Sequence, residues 1–202
     1  MRRLLLGLAV AVPFLLAGGV VAAPAQAATT TKLTVTWQQQ KTGYYCGPAA
    51  TRISLSAKRS SLPTQDQIAS VEGTSSSTGT YRTGIKAGLD HWSPSWATAI
   101  VAVSHPMTSA QKSKFLSDIK GDIYAGWAPV VNIVVHPGGP RPPGWSNPST
   151  TIDHWFTVIG YDSDNYIWVA DPASKMPGFA AYPEYRIPWS TMTQIVEKTY
   201  VW

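Results

Sequence analysis

A single cysteine, Cys46, stands in a chain of 202 residues, so no disulfide can form within it and the fold must rest on a buried apolar core. The composition meets that demand. Apolar residues make up 44% and charged residues 13%, with 9 Trp and 9 Tyr, whereas a disordered chain is rich in charge and poor in aromatics. The length suits one domain with a substantial interior.

The first 27 residues read as an export segment: Arg2 and Arg3, an apolar stretch from Leu4 to about Ala17, then Ala25-Gln26-Ala27. That order is a secretory signal peptide of the Sec type, with an A-x-A cleavage site. Pro13 and Gly18-Gly19 interrupt the apolar run and no stop-transfer charges follow, which disfavours a membrane anchor. The expected mature chain, Ala28 to Trp202, is one domain that is secreted or held at the cell envelope. It has no membrane span and is expected to act as a monomer. Removing Arg2 and Arg3 lowers the formal charge from +5 to +3, too small a surplus to argue for nucleic acid. In an oxidising compartment a spare thiol is open to mixed disulfides and over-oxidation, so keeping one points to a use.

Residues 33–37 alternate apolar and polar, which predicts a first strand after a polar lead at 29–32. Pro48 just after Cys46, with Lys58-Arg59 at the far end, predicts a helix from Cys46 to about residue 58. Thr64-Gln-Asp-Gln67 is a capping box opening a second helix. A short helix is predicted over 82–91, a strand over 97–103, and an amphipathic helix over 109–126 from Phe115, Leu116, Ile119 and Ile123. A buried strand follows at 129–135, then a loop at 136–151 holding five Pro and three Gly. Residues 154–161 and 166–171 form a hairpin, 185–187 a further strand, and 189 to about 198 a closing helix. Helices mostly first and antiparallel strands mostly last make the class α+β.

A thiol attacks as its thiolate, which the N-terminus of a helix favours, and Cys46 opens one. Of the four His, His91 ends a helix, while His105 and His136 each precede Pro in a loop; only His154 opens an apolar strand that can hold its ring. If the hairpin loop is even in length, Asp171 lies opposite His154 or one diagonal step away on the same face. An odd loop with a bulge is expected to part them. A carboxylate beside the imidazole completes a nucleophile, base and orienter set. The oxyanion of the reaction needs donors, for which the Cys46 N–H and an amide from Gln38, Gln39 or Gln40 are available. No metal is expected, since the His residues lack ligand spacing and one Cys offers no thiolate pair. No cofactor is expected either. Trp92, Trp145 and Trp155 are candidates for a substrate rim.

Several segments carry a family resemblance. Gln40-Lys-Thr-Gly-Tyr-Tyr-Cys46-Gly-Pro-Ala-Ala50 resembles the oxyanion glutamine and nucleophile segment of papain-like cysteine peptidases. Together with Gln67-Ile-Ala, Gly73-Thr74, His154-Trp-Phe-Thr-Val-Ile-Gly-Tyr-Asp162 and Val169-Ala-Asp171-Pro172, it is similar to the bacteriocin-processing, double-glycine peptidases. The similarity is greatest to their free-standing secreted relatives, and it spans Trp37 to the C-terminus. It implies a papain-like fold, with a nucleophile helix packed against an antiparallel sheet. It also implies Cys46 as nucleophile, His154 as base, Asp171 as orienter and Gln40 in the oxyanion hole. Members fused to an exporter carry a transporter segment that this chain does not, so cleavage after a double glycine does not carry over.

The expectation is a secreted cysteine hydrolase acting on a peptide or protein, with cell-wall peptides among the candidates. An acyltransferase of the transglutaminase kind would use the same residues. A catalytically silent binding module on a peptidase scaffold is the alternative from another class.

Overall fold

The structure, a computed structural model, describes residues 29–202; the expected export segment lies outside them. Seven strands form one antiparallel sheet. They are β1 (Thr30–Lys32), β2 (Ile100–Ala102), β3 (Val130–Val135), β4 (Ile152–Asp162), β5 (Tyr166–Ala170), β6 (Glu184–Pro188) and β7 (Thr199–Val201). Their order is β2-β7-β3-β4-β5-β6, with β1 paired to β4. The helices are α1 (Cys46–Leu55), α2 (Gln65–Glu72), α3 (Arg82–Trp92), α4 (Ser109–Ala125) and α5 (Trp189–Ile195). The α+β architecture is the expected one. Among the described residues no helix is long and apolar enough to cross a membrane.

The sheet is covered on both faces, so its central strands read as continuous apolar runs. On one face Val130, Trp155 and Val201 pack with Cys46, Ala50, Ile68, Ile85 and Leu89 of α1 to α3. On the other, Val131, Ile133, Phe156 and Val158 pack with Phe115, Ile119 and Ile123 of α4. All six residues of β3 are buried for this reason. Each large side chain so buried contributes on the order of 1.5–3 kcal/mol.

The predicted helices are present, with shorter ends at α1 and α5. Thr64 and Thr108 each accept from the backbone N–H three residues on, and Gln67 and Gln111 reach back, so both α2 and α4 open on capping boxes. Two strand expectations need correction. The first strand is Thr30–Lys32, in the segment expected to be a polar lead, and residues 33–37 leave the ladder after the Leu33 N–H, which donates to the Ile159 carbonyl at 2.8 Å. Their alternation is real as burial: Val35 and Trp37 turn inward against Ile53, Ile159 and Ala170. The ladder sits at Lys32 because it needs Gly160, where any Cβ would lie 2.8 Å from the Lys32 Cα. The closing helix ends at Ile195, and Thr199–Val201 instead inserts as β7 between β2 and β3. Three residues are too few to show a period.

Candidate active site

Cys46 is the first residue of α1 and is buried at 8% exposure. Tyr45 offers no side-chain cap and the first turn has no acidic residue, so the leading N–H groups stay uncapped at the positive end of the helix. Three buried hydroxyls pin the helix. Thr157 Oγ1 donates to the Ala50 carbonyl at 2.8 Å, Ser54 Oγ to the Ala128 carbonyl at 2.6 Å, and Thr51 Oγ1 to Glu72 Oε1 at 2.5 Å. Burial pushes the Glu72 carboxyl up to about 8, against the pull of Thr51, Thr74 and Thr80, so it is largely protonated at neutral pH. Gly47 lies so close to Thr80 that a Cβ there would stand 2.5 Å from the threonine Cβ.

His154 and Asp171 meet where β5 has ended. The last paired residue of β5, Ala170, faces Thr157, so residues 152–156 of β4 are paired to β3 alone. His154 Nε2 stands 2.8 Å from Asp171 Oδ1, with the two side chains 4% and 0% exposed. Burial alone would lower the imidazole pKa, but the charge and hydrogen bond of Asp171, with Cys46 adding, lift it to about 10. Burial likewise opposes ionisation of Asp171, and His154, Tyr185 and the Ala173 N–H outweigh it and hold the carboxyl below its usual range. Since Nε2 is taken by Asp171, Nδ1 is the ring nitrogen left for the thiol.

The hairpin reaches this arrangement with the odd loop and bulge that are expected to part the pair. Its connection, Ser163–Asn165, has three residues, with Asn165 at φ 63° and Asp162 Oδ1 accepting from the Asp164 and Tyr166 amides. Near the turn Tyr161 faces Ile167. Between Val158 and Gly160 the register slips by one, so Thr157 faces Ala170. The odd loop and the bulge cancel. Extending the register sets Asp171 opposite Phe156, one diagonal step from His154, where the pair was expected only for an even loop.

Asp171 has further donors that no local sequence pattern signals. Tyr185 Oη donates to Oδ2 at 2.7 Å and Trp145 Nε1 to the same oxygen at 3.2 Å, while the Ala173 N–H donates to Oδ1 at 2.9 Å. Trp145 comes from the proline-rich loop and lies edge-on to the His154 ring, with centroids 5.4 Å apart. It is buried on the carboxylate and is not a rim residue. Trp155 does line a cleft, whereas Trp92 packs against the α1–α3 core. Nothing in the sequence ties Tyr185 to Asp171 except that its strand is next in line to pair with β5.

Gln40 is the buried one of the three glutamines. Its N–H donates to the Pro172 carbonyl at 2.9 Å, tying the loop before Cys46 to the residue after Asp171, and its Nε2 donates to the Thr42 carbonyl at 2.8 Å. The second hydrogen of that Nε2 is left over. His105 and His136 converge on Glu197 at 3.4 and 2.9 Å, and His91 sits edge-on to Trp92. Among the described residues no group of three His, Cys, Asp or Glu is placed to hold a metal ion. A cleft of about 360 Å³ opens beside Cys46, bounded by residues 78–82, Asn132, Asp153, Trp155 and the start of β7. A thiol, an oriented imidazole and an open helix N-terminus beside a cleft are the parts that covalent acyl chemistry requires.

A family model described as the Peptidase_C39 like family matches residues 32–196. The chain is similar in structure to the peptidase domain of Streptococcus ComA, a bi-functional ABC transporter involved in a quorum sensing pathway. The TM-score is 0.54 at 13% identity, over 85% of this chain and 96% of that one. It is also similar to a double glycine motif protease from an AMS/PCAT transporter, solved in complex with the leader peptide. There the TM-score is 0.52 at 13% identity, over 84% of this chain and 91% of that one. At such identity these likenesses establish the fold, which is the papain-like α+β arrangement. No curated protein matches the chain.

Proposed function

Because the chain belongs to the Peptidase_C39 like family, we propose that it is a cysteine hydrolase that cleaves peptide bonds through a thioester on Cys46. His154 Nδ1 takes the thiol proton and Cys46 Sγ adds to the scissile carbonyl. The tetrahedral oxyanion is met by the Cys46 N–H and by the spare Nε2 hydrogen of Gln40. His154 then donates its proton to the leaving amine, the C–N bond breaks, and the thioester remains. Water, deprotonated by the same imidazole, resolves it to the carboxylic acid and the free thiol. Asp171 keeps the Nε2 proton in place, which orients the ring and stabilises the imidazolium. The observation that carries this reading is the 2.8 Å bond between His154 and Asp171 in the interior, with Cys46 as the other polar neighbour of the ring.

The substrate is a peptide or protein, met outside the cytoplasm if residues 1–27 direct export; the leader peptide held by a structural neighbour supports a peptide in the groove. Digestion of a broad peptide library by the chain from Ala28 onward, with Cys46→Ala as control, tests the proposal. Cysteine-dependent cleavage is expected. If no peptide is cut and iodoacetamide labels Cys46 at the same rate in the wild type and in His154→Ala, the thiol is not activated and the binding-module reading takes over.

A further inference from the structure

One residue lining the cleft beside Cys46 carries a buried side-chain atom whose bonding is incomplete. Asn132, in β3, is 2% exposed and lines the cleft. Its Nδ2 donates to Asp153 Oδ1 at 2.6 Å and to the His154 carbonyl at 3.3 Å. Both neighbours are acceptors, so the amide orientation is determined and the other atom is the oxygen. Among the described residues that Oδ1 has no donor. Buried acceptors are nearly always satisfied, and an orphan on a residue that lines a cleft is a place for the N–H of a ligand that enters it.

The remaining walls define the rest of that ligand. Lys198 is exposed at the rim and paired with Asp153, whose other oxygen holds Asn132. Arg82 lines the same cleft, is exposed and has no carboxylate partner among the described residues. Trp155 supplies an apolar wall, its indole N–H bonded to the Thr80 carbonyl at 3.0 Å. An aliphatic side chain would leave Asn132 Oδ1 unpaired. A carboxylate has no N–H to give it and would set two acceptors against each other. A lysine or arginine side chain could donate, but it would enter beside two cations facing one anion. A carboxamide answers every wall: N–H to Asn132 Oδ1, C=O toward the Lys198 and Arg82 donors, and methylenes along Trp155.

Resting on the hydrolase reading above, we propose that this cleft is a specificity subsite for a carboxamide side chain, glutamine or asparagine, on the substrate residue it receives. Asn132 and Lys198 would be specificity-determining residues that take no part in the proton transfers.

The test separates binding from chemistry by using the Cys46→Ala chain. Its affinity is measured for tetraglycines blocked as N-acetyl and C-methylamide, with Gln, norleucine, Glu or Lys as guest at each position in turn. One position should favour Gln over norleucine by ~10-fold or more, with Glu and Lys weaker still. The Gln-to-norleucine ratio should collapse in Asn132→Leu and fall in Lys198→Met, which alters only an exposed side chain and guards against misfolding of the first variant. Equal affinity for Gln and norleucine at every position overturns the inference whether or not the wild type cuts peptides. Preference for Gln without cleavage by the wild type leaves the subsite standing and removes the hydrolase reading.

Discussion

His154 and Asp171 form a hydrogen-bonded pair that is withdrawn almost wholly from solvent, Nε2 to Oδ1 at 2.8 Å. Such a pair is weak evidence for stability by itself, but removing one partner strands a buried charge. The linkage runs in two directions. The imidazole pKa is raised from 6.5 to about 10, so its contribution is complete below about pH 6.5 and is lost as pH rises toward 10. The carboxyl pKa is lowered from 3.8, so its contribution is present above that value and is lost as pH falls through the folded pKa. The difference in unfolding free energy between wild type and Asp171→Asn should therefore be greatest between about pH 4 and 6.5, and it should shrink on both sides. Urea titrations across the range check this; a difference independent of pH would mean the pair is not ionised. Peptide cleavage by Asp171→Asn should fall by ~10²-fold or more, since Asn can leave the ring in the wrong tautomer.

Tyr185→Phe removes the shortest donor to Asp171 Oδ2 and leaves the ring packing intact. A hydrogen bond to a buried charge contributes about 1.5–3 kcal/mol, so the variant should lose stability in that range. The Asp171 carboxyl should titrate at higher pH, and the acid limb of the cleavage profile should move with it. A stability loss without any shift of that limb would make Tyr185 a packing residue only.

Glu72 behaves in the opposite sense to Asp171. Its pKa is raised from 4.5 to about 8 by burial, so the folded state holds its proton more tightly than the unfolded state does. Stability from this group is complete below about pH 4.5 and declines as pH climbs to about 8. Glu72→Gln, which is neutral and of the same shape, should remove that decline. Thermal midpoints of the two proteins should converge near pH 4.5 and separate in favour of the variant by about pH 8. Parallel curves would show that the carboxyl is ionised throughout.

How much of this was legible before the fold was known depended on whether the signal was local. The capping box at Thr64 spans four residues and is self-contained, and it starts a helix where the pattern says it should; the box at Thr108 has the same form. Cys46 at a helix start is equally local: Pro48 and the basic residues suffice. Hairpin register, which is semi-local, brings His154 and Asp171 to one face. An odd turn with a bulge is expected to separate the pair, whereas each shifts the register by one and the shifts cancel. The contacts from Tyr185 and Trp145 to Asp171 span 14 and 26 residues of chain, and no periodicity encodes them. The strand at Thr199–Val201 was invisible for a related reason. It is defined by partners about 70 and 100 residues away, with only three residues of its own to show alternation.

Gly47 offers a test of how closely the thiol must be held. Its Cα faces Thr80, and a Cβ would stand 2.5 Å from the threonine Cβ, well inside contact distance. Thr80 cannot swing aside freely, because its carbonyl accepts from Trp155 Nε1 and its hydroxyl lies 2.7 Å from that of Thr74. Gly47→Ala must therefore push the first turn of α1 away from the 78–82 segment, carrying Cys46 with it. Overpacking of this kind costs about 1–3 kcal/mol in stability. The loss of cleavage should exceed what unfolding explains, because small misplacement of a reacting group can cost ~10²-fold in rate. Gly121→Ala, at a position in α4 with nothing within 4 Å of the added Cβ, is the control and should be neutral or slightly stabilising. Full activity in folded Gly47→Ala would show that the position of the thiol tolerates a shift of its helix.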